Sequence, residues 1–123
     1  MKMILFVLND PTKLLDLLDA WKEAGVSGAT VLSSTGMGRI NQSKTLRDDL
    51  PLMPSLSDFF AQSEELSRTI FTIIRDDLVG RIVKVTEEIV GDLGKPGNGI
   101  LIVLSADSVH GFIEYGKPPS PQD

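Results

Sequence analysis

The chain has 123 residues, 41% hydrophobic and 24% charged, with a formal net charge of −5 and no cysteine. That length gives one domain with a real but modest core. The acidic balance, without a block of Lys or Arg, argues against DNA or RNA as a partner, and the missing cysteines exclude disulfides, thiol catalysis and Cys-based metal sites.

Met3-Ile4-Leu5-Phe6-Val7-Leu8 is the longest apolar run. It reads as a strand, too short to span a membrane. With only Lys2 before it, it is a poor signal peptide, so an integral membrane protein is not expected and a cytoplasmic address follows by default. Asn9-Asp10-Pro11 breaks the run and starts a helix, because the side-chain oxygen caps free N–H groups and proline suits a first turn. Leu14, Leu15, Leu18 and Trp21 recur at helical spacing, which places Trp21 in the core, and Gly25 ends the helix. Ala29 to Thr35 is a short strand rich in β-branched residues.

The segment from Ile40 to Leu66 is long for a connection in a compact domain. Its start is polar and aperiodic, and its later part, with Leu50, Leu52, Leu56, Phe59 and Phe60, is more apolar than a solvated loop needs. It reads as an interaction loop. Thr69 to Ile74 is the third strand. Asp76 and Asp77 supply acidic charge to the next helix, whose apolar stripe is Leu78, Val79, Ile82, Val83, Thr86, Ile89, Val90 and Leu93. Ile100 to Leu104 is the fourth strand. Residues 117–123 read as a frayed, proline-rich tail, which leaves 1–116 as the domain.

Two βαβ halves joined by one long loop predict an α+β, ferredoxin-like βαββαβ fold: a four-stranded antiparallel sheet, two helices on one face, and a long loop between strands 2 and 3. Strand one is apolar on both faces (Met3, Leu5, Val7 and Ile4, Phe6, Leu8), and strand four nearly so (Ile100, Ile102, Leu104 and Leu101, Val103). Such strands are buried on both sides. No other segment offers the second cover, so other copies of the chain are expected to supply it as a homo-oligomer.

Two glycine motifs are the candidate site. Gly94-Lys95-Pro96-Gly97-Asn98-Gly99 reads either as a helix-to-strand turn needing positive φ angles or as a loop whose N–H groups and Lys95 face a bound anion. It is not a Walker A loop, since Pro96 stands where Ser or Thr is required. Gly36-Met37-Gly38-Arg39 lacks the third glycine of a dinucleotide fingerprint; it reads as a strand end whose Arg39 can offer donors to a phosphate or carboxylate. His110, the one histidine, reads as a surface or packing residue. Asp76 with Asp77 and Glu87 with Glu88 read as helix charges. With no nucleophile motif beside His110, no catalytic or metal residue is assigned, and the chain does not read as an enzyme.

Placed on this frame, the two motifs resemble the PII signal-transduction (nitrogen regulatory protein P-II-like) family. The similarity covers about the first 105 residues: Met3–Leu8, Gly25-Val26-Ser27-Gly28-Ala29-Thr30-Val31, Gly36 to Arg39, the long loop, and Gly94 to Gly99. The resemblance implies a compact homotrimer with an adenine nucleotide in clefts between subunits, and a long loop over residues 40–66 that engages a regulated transporter or enzyme. It places Gly36, Met37, Gly38 and Arg39 against the ligand from one subunit and Gly97, Asn98 and Gly99 at its phosphates, with Lys95 as a further contact. The chain departs from the family at Ile40, where glutamine is usual, and at Ile100, where a phosphate-binding lysine is usual. No arginine follows Arg81, and residues 40–66 contain no tyrosine. Losing cationic contacts worth about 1.5–3 kcal/mol each weakens a triphosphate site. ADP, ATP, AMP and cyclic adenine nucleotides are therefore all candidate ligands. Two readings follow: a non-catalytic sensor whose ligand biases the 40–66 loop, or an oligomeric protein-interaction module of the same fold that has lost nucleotide binding. An enzyme on this frame is disfavoured, since acylphosphatase-like chemistry would want an arginine after strand one, where Asn9-Asp10-Pro11 stands. One histidine and no cysteine make a metal role poor.

Overall fold

The computed structural model describes residues 1–37 and 66–113. Four strands form one antiparallel sheet: β1 (Lys2–Leu8), β2 (Thr30–Ser34), β3 (Ser67–Ile74) and β4 (Ile100–Ser105), in the order β2-β3-β1-β4. Among the described residues two α-helices, α1 (Leu14–Ala24) and α2 (Val79–Val90), complete an α+β arrangement compatible with a ferredoxin-like fold. No helix among the described residues is long and apolar enough to cross a membrane. The 40–66 loop lies outside the described residues except for Leu66, and so does the 117–123 tail.

Local chemistry sets the helix ends. The Asp10 carboxylate accepts from the Thr12 N–H at 3.0 Å and the Thr12 hydroxyl at 2.6 Å, capping the short 3-10 turn Pro11–Lys13 that leads into α1. Those two bonds, the hydroxyl first, hold the Asp10 carboxyl below its ordinary range. At the other end Gly25 adopts φ 116°, which a side chain would strain, and its N–H reaches the Lys22 carbonyl at 3.1 Å. Leu17, Trp21 and Ala24 form the buried stripe of α1, with Leu14 and Leu18 packed beside them. Leu15 does not belong to it: one residue along from Leu14, it is turned about 100° around the helix and is 74% exposed. In α2 the buried positions are Ile82, Thr86 and Val90. This helix stops at Val90, before Leu93, because Gly91 turns the chain with φ 96°.

Both helices pack on one face of the sheet. Ile4, Phe6 and Leu8 of β1 and Ile70 and Ile74 of β3 join Leu17, Trp21, Ile82 and Val90 in a single core cluster. At its centre the Trp21 indole Nε1–H donates to Thr86 Oγ1 at 2.9 Å, and that hydroxyl donates to the Ile82 carbonyl at 2.6 Å. The two helices are thereby joined by a fully satisfied polar link inside an apolar layer.

The opposite face is different. Register places Leu32, Thr69, Val7 and Ile100 in one cross-strand row, Thr30, Phe71, Leu5 and Ile102 in the next, and Ile73, Met3 and Leu104 in a third. These rows are mostly apolar, yet Ile100 is 56%, Leu32 52% and Leu104 47% exposed. The two-faced apolar character read from strands one and four is present, and the described residues cover the second face only in part: Met3, Leu5, Val7, Phe71 and Ile73 are half-buried, with residues 109–113 beside Phe71 and Ile73, while most of β4 is exposed.

Thr86→Val keeps the volume of the side chain but removes the acceptor of the buried indole N–H. It is expected to cost about 1–3 kcal/mol. Urea denaturation followed by tryptophan emission measures this as a lower midpoint at unchanged slope; an unchanged midpoint would show that the link carries no stability.

Candidate functional site

The glycine loop lies at the end of the sheet where β1 finishes, since Val7 pairs with Ile100 as β4 begins. Its shape is set from within. The Asp92 carbonyl accepts from the Lys95 N–H at 3.1 Å and from Asn98 Nδ2 at 2.7 Å. The Asp92 carboxylate accepts from the Gly94 N–H at 2.8 Å. Asn9, just beyond β1, donates from Nδ2 to the Gly97 carbonyl at 3.1 Å and ties the loop to the neighbouring strand end. Upstream, Glu87 Oε2 accepts from the Leu93 N–H at 3.0 Å.

Two glycines in this loop have distinct reasons. Gly99 has φ 105°, and a Cβ built on it would lie 2.5 Å from the Val7 carbonyl oxygen and 2.8 Å from the Phe6 ring. No side chain fits there. Gly97 has φ 86° but opens on free space, so only its backbone conformation selects glycine. The turn reading is therefore correct for this loop, and it does not compete with the anion reading. Among the described residues the N–H groups of Gly97, Asn98 and Gly99 have no hydrogen-bond partner. Lys95 is exposed and makes no ion pair there.

Asn98 has a role that the sequence did not signal. Its side-chain amide donates to the Asp92 carbonyl, so the side chain closes the loop, and its own N–H has no hydrogen-bond partner among the described residues. The fold also places a carboxylate, Asp92, inside the loop, where it already occupies one N–H.

The second motif stands at the same end of the sheet but on the other edge. Gly36 and Met37 follow β2, and both are exposed. Gly38 and Arg39 lie outside the described residues. The base of this segment is pinned by a hydroxyl cluster: Ser34 Oγ and Ser67 Oγ are 2.9 Å apart, Thr69 Oγ1 donates to Ser34 Oγ at 2.9 Å, and Ser67 Oγ donates to the Ser34 carbonyl at 3.0 Å. From β2 to β4 there are three strand spacings, roughly 14 Å. The sheet thus separates the Gly36-Met37 end from the Gly97–Gly99 end within one chain.

His110 lines a cavity of about 330 Å³ near the far end of the sheet, beside Gly28, Phe71 and Phe112. It makes no hydrogen bond among the described residues. Among the described residues no group of three or more His, Asp or Glu side chains is placed to hold a metal ion. No protein-family model matches this chain, and no curated protein matches it.

The two glycines give a paired prediction. Gly99→Ala meets both positive φ and the Val7 carbonyl, and is expected to destabilise by more than about 2 kcal/mol. Gly97→Ala meets only the backbone term, about 1–2 kcal/mol. Chemical denaturation of the two variants measures the difference; equal losses would mean that the close approach at Gly99 is relieved cheaply.

Proposed function

We propose that this chain is a PII-like, non-catalytic regulatory protein with the full ferredoxin-like βαββαβ topology. Copies assemble as a closed oligomer, a trimer on the resemblance, and a small anionic effector of the adenine nucleotide class binds between them. The ligand contacts are Gly36, Met37, Gly38 and Arg39 from one subunit and Lys95, Gly97, Asn98 and Gly99 from the next. Residues 40–66 then carry the signal to a regulated transporter or enzyme.

The observation that carries this reading is the placement of the two motifs. Gly36-Met37 and the 94–99 loop occupy one end of the sheet but opposite edges, so a site using both motifs is read as taking them from different copies. The exposed apolar residues of the sheet face opposite the helices, among them Leu32, Ile100, Ile102 and Leu104, supply a reason for copies to meet. A Leu or Ile side chain gains about 1.5–3 kcal/mol on full burial, and a face of that composition marks an interaction surface. The N–H groups of Gly97, Asn98 and Gly99, without a hydrogen-bond partner among the described residues, suit the phosphate end of an anion.

The reading as an interaction module without a nucleotide also has a specific observation behind it. Asp92 already occupies the Gly94 N–H with a negative charge, and Lys95 is the one cation in the 91–99 loop. A highly charged triphosphate suits that loop less well than a ligand of lower charge.

Calorimetric titration separates the two. ATP, ADP, AMP, cyclic AMP and cyclic di-AMP are each added to the purified oligomer, with and without magnesium. The sensor reading expects saturable heat near one site per chain from at least one of them. Arg39→Ala should weaken that binding about tenfold or more, the loss expected for one charge-assisted contact, without dissociating the oligomer. Absence of heat from every ligand, with a folded oligomer in the cell, selects the ligand-free module.

A further inference from the structure

At the opposite end of the sheet from the glycine loop, the last turn of α1, the turn after it and the start of α2 enclose a groove of about 690 Å³. That falls within the roughly 300–1,000 Å³ of small-molecule sites. Leu18 and Leu78 give it an apolar lining, and Trp21 is buried in its floor. Lys22, Arg75 and Arg81 line it as well, with Glu23 as the one carboxylate. In a chain of net charge −5, this is a local excess of positive charge above an apolar floor.

Pairing accounts for only one of the three cations among the described residues. Arg75 is engaged with Asp77, Nε to Oδ1 at 3.3 Å. Lys22 and Arg81, however, reach no carboxylate among the described residues, not even Glu23 in the same groove. Helix stability accounts for only one of them. Lys22 stands in the last turn of α1, where the helix dipole favours a cation. Arg81 is the third residue of α2, at the end where the dipole disfavours a cation. Its position is better explained by something that it faces.

We propose that this groove binds a small organic anion, a carboxylate or phosphate monoester carrying an apolar body. The head group lies between Arg81 and Lys22, and the body rests on Leu18 and Leu78. Arginine suits this role because its planar fork matches both anionic head groups. The site is independent of the glycine loop, so ligand at one end does not require ligand at the other.

Trp21, the chain's one tryptophan, reports on the groove directly. The full chain is titrated with hexyl phosphate, hexanoate and uncharged hexanol while tryptophan emission is followed. A saturable change is expected with at least one of the two anions, and which of them binds tighter identifies the head group. Hexanol should bind at least tenfold more weakly. Arg81→Gln and Lys22→Gln, both exposed positions whose variants are checked for folding by circular dichroism, should each weaken the anion about tenfold. Lys95→Gln, at the other end, should leave it unchanged. No saturable change with either anion would overturn the proposal, as would equal affinity in wild type and Arg81→Gln, or equal affinity for hexanol and the anions.

Discussion

Strand β1 is the element on which the rest of the molecule depends. It pairs with β3 on one side and β4 on the other, and its side chains alternate strictly between two faces. Ile4, Phe6 and Leu8 are therefore committed to the helices, where each is at most 1% exposed. The same geometry forces Met3, Leu5 and Val7 to the other side. The two described helices bury only one of these sets, because both lie on the Ile4 face. The apolar character of the open face is thus not incidental surface composition. Phe71 and Ile73 from β3 and Ile100, Ile102 and Leu104 from β4 lie on it in register with β1.

The end of β1 also shapes the candidate ligand loop. The main chain at Gly99 passes so near Val7 and Phe6 that no side chain is tolerated. Asn9 then holds the Gly97 carbonyl, and Asn98 holds Asp92. These contacts use carbonyls and side chains and leave the N–H groups of residues 97–99 unused. A loop anchored in this way is pre-organised, which lowers the entropic cost of ordering it around a ligand. Strand order sets the limit on what it can do alone, since β2 and its trailing Gly36-Met37 stand on the far edge. Under the proposed function, ligand binding is tied to assembly, because Gly36-Met37 and the glycine loop stand at opposite edges of one sheet.

Much of this was legible in the sequence, where local rules decide. The unbroken apolar runs gave β1 and β4 within a residue, Asp10-Pro11 marked the start toward α1, and Gly25 marked its end. Leu15 misled because adjacent leucines satisfy a loose helical spacing equally well; only the full set Leu14, Leu17, Leu18, Trp21 and Ala24 fixes the buried stripe. Leu93 fell outside α2 because a glycine with positive φ stops a helix regardless of the apolar residue after it. The glycine loop could be recognised as a turn, but the clasp by Asn98 and the intrusion of Asp92 depend on three-dimensional closure. The same holds for the groove at the other end, where Lys22 and Arg81 are far apart in sequence and line one groove only because α1 ends where α2 begins. Gly38 and Arg39, which the resemblance makes central, lie outside the described residues.

The claim that the open face is covered by other copies of the chain is tested most directly by the mass of the purified protein in solution. Sedimentation equilibrium of the 13.4 kDa chain should give a closed oligomer, three chains on the family resemblance, that persists on dilution. Replacing Leu5 and Ile102, neighbours on that face, by glutamate should yield folded monomers. A wild-type protein that sediments as a stable, soluble monomer would contradict the account, because the face would then be stable in water and the two glycine motifs would have no partner copy to bring them together.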